Sequence, residues 1–116
     1  MTAYAVLKRN GEFRRAYARG VCLNDSALGV YIVKNKYGNI RLGITTGKKL
    51  GNAVERSRAR RIIREAFRSL APELKTGCDY VIVARSRILT LKSTDVAERL
   101  KKKLSANGYI NQDKND

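Results

Sequence analysis

Residues 52–70 read NAVERSRARRIIREAFRSL. Ala59, Ile62, Ile63, Ala66, Phe67 and Leu70 recur at steps of three and four, the spacing that gathers side chains on one side of an α-helix. Asn52 and Glu55 stand three apart just ahead of that stripe, a capping box with Asn in the usual Ser or Thr place. The spacing therefore predicts an amphipathic helix from about Asn52 to Leu70, whose apolar stripe needs another layer to cover it. The flanking sequence supplies a sheet. Upstream, Ile40, Leu42 and Ile44 alternate with Arg41, Gly43 and Thr45, and Leu28, Val30 and Ile32 alternate with Tyr31 and Val33, both at the period of two expected of strands. Val21–Leu23 is a shorter strand, and turns at 24–26 and 36–39 suggest a three-stranded meander. Downstream, Asp79–Arg85 is nearly continuous in apolar residues, which suits an interior strand.

Further out, Asn10 is a candidate N-cap for a short helix. Phe13, Ala16 and Tyr17 share one of its faces, Arg14, Arg15 and Arg19 lie elsewhere, and Gly20 stops it. Ser93 or Thr94 caps a last helix in which Val96, Leu100 and Leu104 form a narrow stripe beside Arg99, Lys101, Lys102 and Lys103, ending before Gly108. No repeat or linker divides the chain, so the reading is one domain over 1–116, with a basic segment at 1–9 and a frayed tail at 109–116. The order is α-β-β-β-α-β-α, a mixed α/β (α+β) arrangement.

Composition narrows the function. The 116 residues carry 25 Lys and Arg against 10 Asp and Glu, a net charge of +15, and there is no histidine. At 43% apolar and 30% charged residues the chain is globular in composition, and a domain of this length buries roughly two-thirds of its unfolded surface. No run approaches the length of a membrane span and the N-terminus does not look like a signal peptide, so a cytoplasmic location is expected. Cys22 and Cys78 match no metal-ligand spacing and read as small buried or half-buried apolar residues. Without histidine the chain lacks the usual proton-transfer side chain near neutrality and the base of a Ser-His or Cys-His pair. Its carboxylates are scattered, with no pairing that suggests a hydrolytic or two-metal centre. So large a positive excess concentrates polyanions around it, and nucleic acid is the expected partner.

Three groups of residues carry that expectation. On the central helix, Arg60, Arg61, Arg64 and Arg68 fall on one flank opposite the apolar stripe, with Arg56 and Arg58 beside them. A solvated charged face is the ordinary explanation of such a pattern, but only Glu55 and Glu65 offset these arginines. Like charges four apart at Arg56, Arg60 and Arg64 also weaken a free helix. A row kept against that cost suits an anionic partner, and the guanidinium fork suits phosphate. Before the helix, Lys48 and Lys49 lie between Gly47 and Gly51, beside a helix N-terminus where amides and the dipole favour an anion. The spacing does not fit a nucleotide-binding P-loop. Finally, Phe13 and Tyr17, with Tyr31 on a strand, form either core packing or a platform on which unpaired bases stack, as single-stranded RNA would.

These residues carry a resemblance. Lys48-Lys49-Leu50-Gly51-Asn52-Ala53-Val54, followed by Arg56-Ser57-Arg58, Arg60-Arg61 and Arg64, and preceded by Phe13, Tyr17, Gly20 and Tyr31, is similar to the signature of the protein component of bacterial ribonuclease P, from about Leu7 to Leu104. Ser57 departs from it, standing where that family usually has Asn. The resemblance implies an α/β sandwich with a left-handed crossover between parallel strands, and a subunit of the endoribonuclease that removes the 5′ leader of precursor tRNA. It implies that catalysis belongs to a large RNA subunit with bound magnesium, the protein alone being non-catalytic and holding no metal. Lys48, Lys49, Asn52, Arg56, Arg58, Arg60, Arg61, Arg64 and Arg68 would contact that RNA. Phe13, Tyr17 and Tyr31 would line a cleft for the 5′ leader of precursor tRNA. Neither a membrane nor a small-molecule substrate is implied. From charge alone, a small basic ribosomal protein is the alternative.

Overall fold

A computed structural model of the protein describes residues 4–111. The strands are β1 (Ala5–Val6), β2 (Val21–Asn24), β3 (Leu28–Lys34), β4 (Ile40–Thr45) and β5 (Cys78–Ala84). The helices are α1 (Asn10–Arg19), α2 (Ala53–Leu70) and α3 (Ser93–Ala106). Short 3-10 turns lie at Lys48–Leu50, Ala71–Glu73 and Ser86–Thr90. The expected elements are all present, with β1 added at the front.

The sheet runs β1-β4-β5-β3-β2, which corrects the expected meander. β2 and β3 form an antiparallel pair, but β5 lies between β3 and β4, antiparallel to the first and parallel to the second. The start of β5 enters the mouth of the 35–39 loop: the Asn35 amide donates to the Gly77 carbonyl at 2.8 Å and the Gly77 amide to the Asn39 carbonyl at 3.0 Å. The cause is that β5 is apolar on both faces. Such a strand is most stable with neighbours on either side and helices above and below, whereas turn residues at 36–39 say nothing about what sits between the strands they join. Because β4 and β5 are parallel, α2 is the connection between them, as a βαβ unit requires.

One face of the sheet is the main core. Leu28, Val30 and Ile32 of β3, Ile40 and Leu42 of β4, and Tyr80 and Ile82 of β5 pack against the α2 stripe of Ala59, Ile62, Ile63, Ala66, Phe67 and Leu70 and the α3 stripe of Val96, Leu100 and Leu104. Among the described residues the other face carries α1 alone, whose Ala16 packs with Leu7 and Val81, with Phe13, Tyr31 and Val33 partly buried there. Having only one helix, that face is covered over part of its length.

The ends of the helices show what local patterns miss. For α1 the cap is Arg9 rather than Asn10, because the Glu12 carboxylate accepts from the Arg9 amide at 3.2 Å. For α3 the cap is Lys92, whose amide donates to Asp95 at 3.0 Å, rather than Ser93 or Thr94. In both, an acidic residue in the first turn reaches back and takes the place of a capping hydroxyl or amide. Gly20 ends α1 without a left-handed backbone (φ −79°). A Cβ there would lie 2.5 Å from the Ala16 carbonyl oxygen and 3.0 Å from that of Ile32, so the glycine serves the close approach of helix to strand.

The expected frayed tail is corrected for 109–111; the rest of it, 112–116, lies outside the described residues. Tyr109 and Ile110 pack on the core, the Lys75 amide donates to the Tyr109 carbonyl at 2.8 Å, and the Asn111 amide donates to that of Glu73 at 2.8 Å. Residues 74 and 110 form an antiparallel bridge, adding a backbone anchor that polar composition does not reveal.

Candidate nucleic-acid interface

The face that α1 leaves partly open gathers the predicted aromatic residues. Tyr17 meets Tyr31 edge to face, with ring centroids 4.9 Å apart, and the Tyr17 hydroxyl lies 2.5 Å from Thr45 Oγ1. Phe13 packs differently. Its ring fills the space above Gly43 of β4, where a Cβ would stand 2.8 Å from Phe13 Cε1. Phe13 is thus the floor joint between helix and sheet, while Tyr17, 39% exposed, is the open wall. Beyond Tyr17 the strand register continues the surface as the row Thr45, Val83, Gly29 and Asn24.

Several residues that the sequence reading passed over complete this trough. Cys22 stands opposite Tyr31 on β2 and is exposed, which corrects its expected burial; Cys78 is buried. The hydrogen bond with the Cys22 thiol pushes the Tyr31 phenol above its usual range. At the far end, Arg85 Nε donates to Asn24 Oδ1 at 3.0 Å. The alternation of residues along each strand could have placed Cys22 on this face, but only if its pairing with β3 were known.

The pose of α1 over the sheet depends on a buried charge. Asp79 of β5, 1% exposed, receives Arg41 Nε and Nη2, each at 2.8 Å, and Asn35 Nδ2 at 2.8 Å. Arg41 Nη1 reaches Glu12 of α1 at 2.8 Å, and its guanidinium lies 4.5 Å from the Tyr37 ring centroid. The hydrogen bonds to Asp79 raise the Arg41 pKa further. Partial burial opposes the ionisation of Glu12, but the Arg9 amide and the Arg41 charge outweigh it and hold its carboxyl below the usual range. This triad joins α1, β4 and β5.

On α2, Arg60, Arg61, Arg64 and Arg68 span about 100° of the helix, with Arg56 and Arg58 to either side. Their partners divide them. Arg56 Nη1 donates to the Gly51 carbonyl at 2.7 Å and Arg60 Nη1 to Thr46 Oγ1 at 2.6 Å, so both turn back onto the segment between β4 and α2. On the other side Arg58 Nη1 donates to the Leu89 carbonyl at 3.2 Å. Arg61, Arg64 and Arg68 remain exposed and, among the described residues, have no hydrogen bond or ion pair. Lys48 and Lys49 are exposed on their 3-10 turn, anchored by buried Leu50. The capping box is formed as expected: Asn52 Oδ1 accepts from the Glu55 amide and Glu55 Oε1 from the Asn52 amide, both at 2.9 Å. The Glu55 carboxylate therefore already occupies part of the helix N-terminus at which a phosphate was expected, leaving the lysine ammoniums as the main attraction there.

A strongly basic α/β protein with free guanidiniums on one helix and an aromatic trough on the opposite sheet face belongs to the RNA-binding subunits of ribonucleoproteins. Comparison with known proteins narrows this. Residues 1–107 match the family model described as Ribonuclease P. The ribonuclease P protein component of an Exiguobacterium species is 39% identical over 95 residues, 82% of each chain, and that of Clostridium acetobutylicum is 36% identical over 107 residues, 90% of this chain and 89% of the relative. Among solved structures, the Staphylococcus aureus RNase P protein matches with a TM-score of 0.80 at 31% identity over 91% of this chain and 97% of that one. The Thermotoga maritima RNase P protein matches with a TM-score of 0.77 at 27% identity over 86% and 94%. The chain belongs to the ribonuclease P protein family, and is a subunit of the tRNA 5′-processing endoribonuclease whose partner is an RNA subunit. The ribosomal-protein alternative is set aside on the same findings. No helix among the described residues is long and apolar enough to cross a membrane.

Proposed function

We propose that the chain, working in the cytoplasm, seats its α2 arginines on the catalytic RNA subunit while the trough holds the single-stranded 5′ leader of precursor tRNA. The observation that carries this reading is the division of cationic and aromatic residues between two surfaces. Arg58, Arg61, Arg64 and Arg68 are exposed on α2, and Lys48, Lys49 and Asn52 on the turn before it, α2 packing on the main-core face, whereas Phe13, Tyr17 and Tyr31 lie on the α1 side of the sheet. Arg56 and Arg60, held back onto Gly51 and Thr46, extend the same cationic surface. Stacking on tyrosines tolerates any base sequence, as a subunit handling many leaders needs.

Magnesium on this reading is held by the RNA. Among the described residues no three His, Cys, Asp or Glu side chains converge. Of the acidic groups around the site, Asp79 and Glu12 are committed to Arg41 and Glu55 to its cap, and Glu65 stands alone among arginines. The protein's part is binding: cations screen phosphate repulsion where the RNA carries its metal ions, and the trough adds affinity that only a leader-bearing substrate collects. The test is the affinity of the reconstituted holoenzyme for precursor and mature tRNA. Tyr31→Ala is expected to weaken the precursor about 5- to 150-fold, the worth of one stacked base, and to leave mature tRNA unchanged. Equal losses on both would overturn the leader assignment. In parallel, Arg64→Ala should lower the salt dependence of RNA-subunit binding by about one phosphate contact; an unaltered slope would overturn the docking assignment.

A further inference from the structure

The outer flank of α2 holds a hollow that phosphate contacts alone do not explain. Tyr4, just ahead of β1, lines it together with Arg61, Arg64, Glu65 and Arg68, around a volume of about 210 Å³. That is the space of about seven waters. The Tyr4 ring stands nearly perpendicular (87°) to Phe67, with centroids 5.1 Å apart, and Phe67 is fully buried in the core. The half-buried tyrosine is therefore braced from behind while part of it walls the hollow. The three arginines recur at i, i+3 and i+7 along one edge of the helix, and their guanidiniums are free of protein partners among the described residues. Glu65 is the discordant member: a carboxylate among phosphate-binding arginines repels phosphate, but it accepts N–H groups from the edge of a base.

An aromatic wall, a lone acceptor and a row of guanidiniums match one nucleotide of a folded RNA. We infer that this hollow takes a single unpaired base of the RNA subunit, packed against Tyr4 and bonded at its edge to Glu65, while the flanking phosphates lie on Arg61, Arg64 and Arg68. The base must be unpaired, because a paired one presents its Watson–Crick edge to its partner and its faces to its neighbours. Tyr4 thereby fixes which point along the RNA meets α2, a choice that phosphate contacts cannot make. The inference rests on the proposed docking of α2 to the RNA subunit, and its test separates the two.

The RNA subunit transcribed in vitro is titrated with wild-type protein and with Tyr4→Leu, Tyr4→Phe, Arg61→Ala and Arg64→Ala. Base-edge reactivity to dimethyl sulfate and carbodiimide is mapped in each complex. Expected is one unpaired base protected by the wild type and by Tyr4→Phe but exposed again by Tyr4→Leu. Affinity should fall about 5- to 150-fold for Tyr4→Leu, the loss of one base–aromatic contact, with an unchanged salt slope, because no charge is removed. Tyr4→Leu keeps apolar cover on Phe67, and a melting curve matching the wild type shows that its fold is intact. If the base stays protected and the affinity holds in Tyr4→Leu while the arginine variants lower the salt slope, the base site is overturned and the docking stands. If the arginine variants also leave the slope unchanged, both fall.

Discussion

Gly43→Ala tests whether Phe13 and the sheet set the trough. The new Cβ would lie 2.8 and 2.9 Å from Phe13 Cε1 and Cζ and 3.0 Å from Leu7 Cδ1. Carbon atoms prefer about 3.5–4.0 Å, so two side chains must each yield by roughly half an ångström or more, on a face where Leu7 is packed with Ala16 and Val81. Overpacking of this kind costs about 1–3 kcal/mol. Against it stands a gain of about 0.4–1 kcal/mol from restricting the unfolded chain, since Gly43 has no positive φ to lose. The balance is a loss of about 1 kcal/mol in stability, measured by urea unfolding followed by circular dichroism. Phe13 should swing outward from the joint it fills and disturb Tyr17 one turn along α1, so the holoenzyme should lose about tenfold in precursor affinity and nothing in RNA-subunit affinity. Phe13→Leu combined with Gly43→Ala should recover part of the stability, with a coupling of about 1 kcal/mol in a double-mutant cycle. A Gly43→Ala protein as stable as the wild type, or strictly additive effects in that cycle, would refute the reasoning.

Other outcomes follow from the charge network. Arg41→Met leaves Asp79 buried with only Asn35 and should cost about 3–5 kcal/mol in urea unfolding, most of it regained in Arg41→Met/Asp79→Leu; a loss below 1 kcal/mol would contradict the triad's role. At the β2–β3 turn, partial burial opposes the ionisation of Asp25, but Lys103 and the Ala27 and Leu28 amides outweigh it and hold its carboxyl at about 2, below its ordinary 3.8. A depressed acid stabilises the fold above its unfolded pKa and loses that contribution as pH falls through the folded value. Asp25→Asn should therefore cost roughly 2 kcal/mol at pH 7, and its difference from the wild type should close between about 3.8 and 2, as acid titration of unfolding would show. Arg60→Ala removes the bond to Thr46 and should cost about 1 kcal/mol in urea unfolding; an unchanged midpoint would show that this contact does not hold the β4–α2 segment.

Much of the fold was legible because its signals are local. The α2 stripe, its Asn52–Glu55 cap and the alternation in β3 and β4 depend on residues within a turn or two of each other, and each is found where the pattern puts it. The caps of α1 and α3 were misread because Glu12 and Asp95 compete with Asn10, Ser93 and Thr94 for the same role, and side-chain reach decides between them. The place of β5 depends on partners dozens of residues away. So does the two-residue strand β1, which is too short to show a period and exists through its pairing with β4. At the interface, residue types were informative and orientation was not. Tyr17 and Tyr31 meet while Phe13 packs over Gly43, and Arg60 parts from Arg61, Arg64 and Arg68 because Thr46 lies within its reach, a fact of the β4–α2 loop rather than of helical spacing.

By itself, the sequence determined the net charge of +15, the lack of histidine, the amphipathic helices and the two-faced strands, and with them a basic α/β protein suited to RNA. Covalent order and short-range periodicity are enough for these, since they are sums over composition or consequences of backbone geometry. Only the tertiary structure decided that β5 divides β3 from β4, that Asp79 is buried against Arg41, that Cys22 stands beside Tyr31, and that Tyr4 closes a hollow among the free arginines. Each of these joins segments remote in the chain, and such contacts are selected by the joint burial of the whole core, which no local window of residues contains.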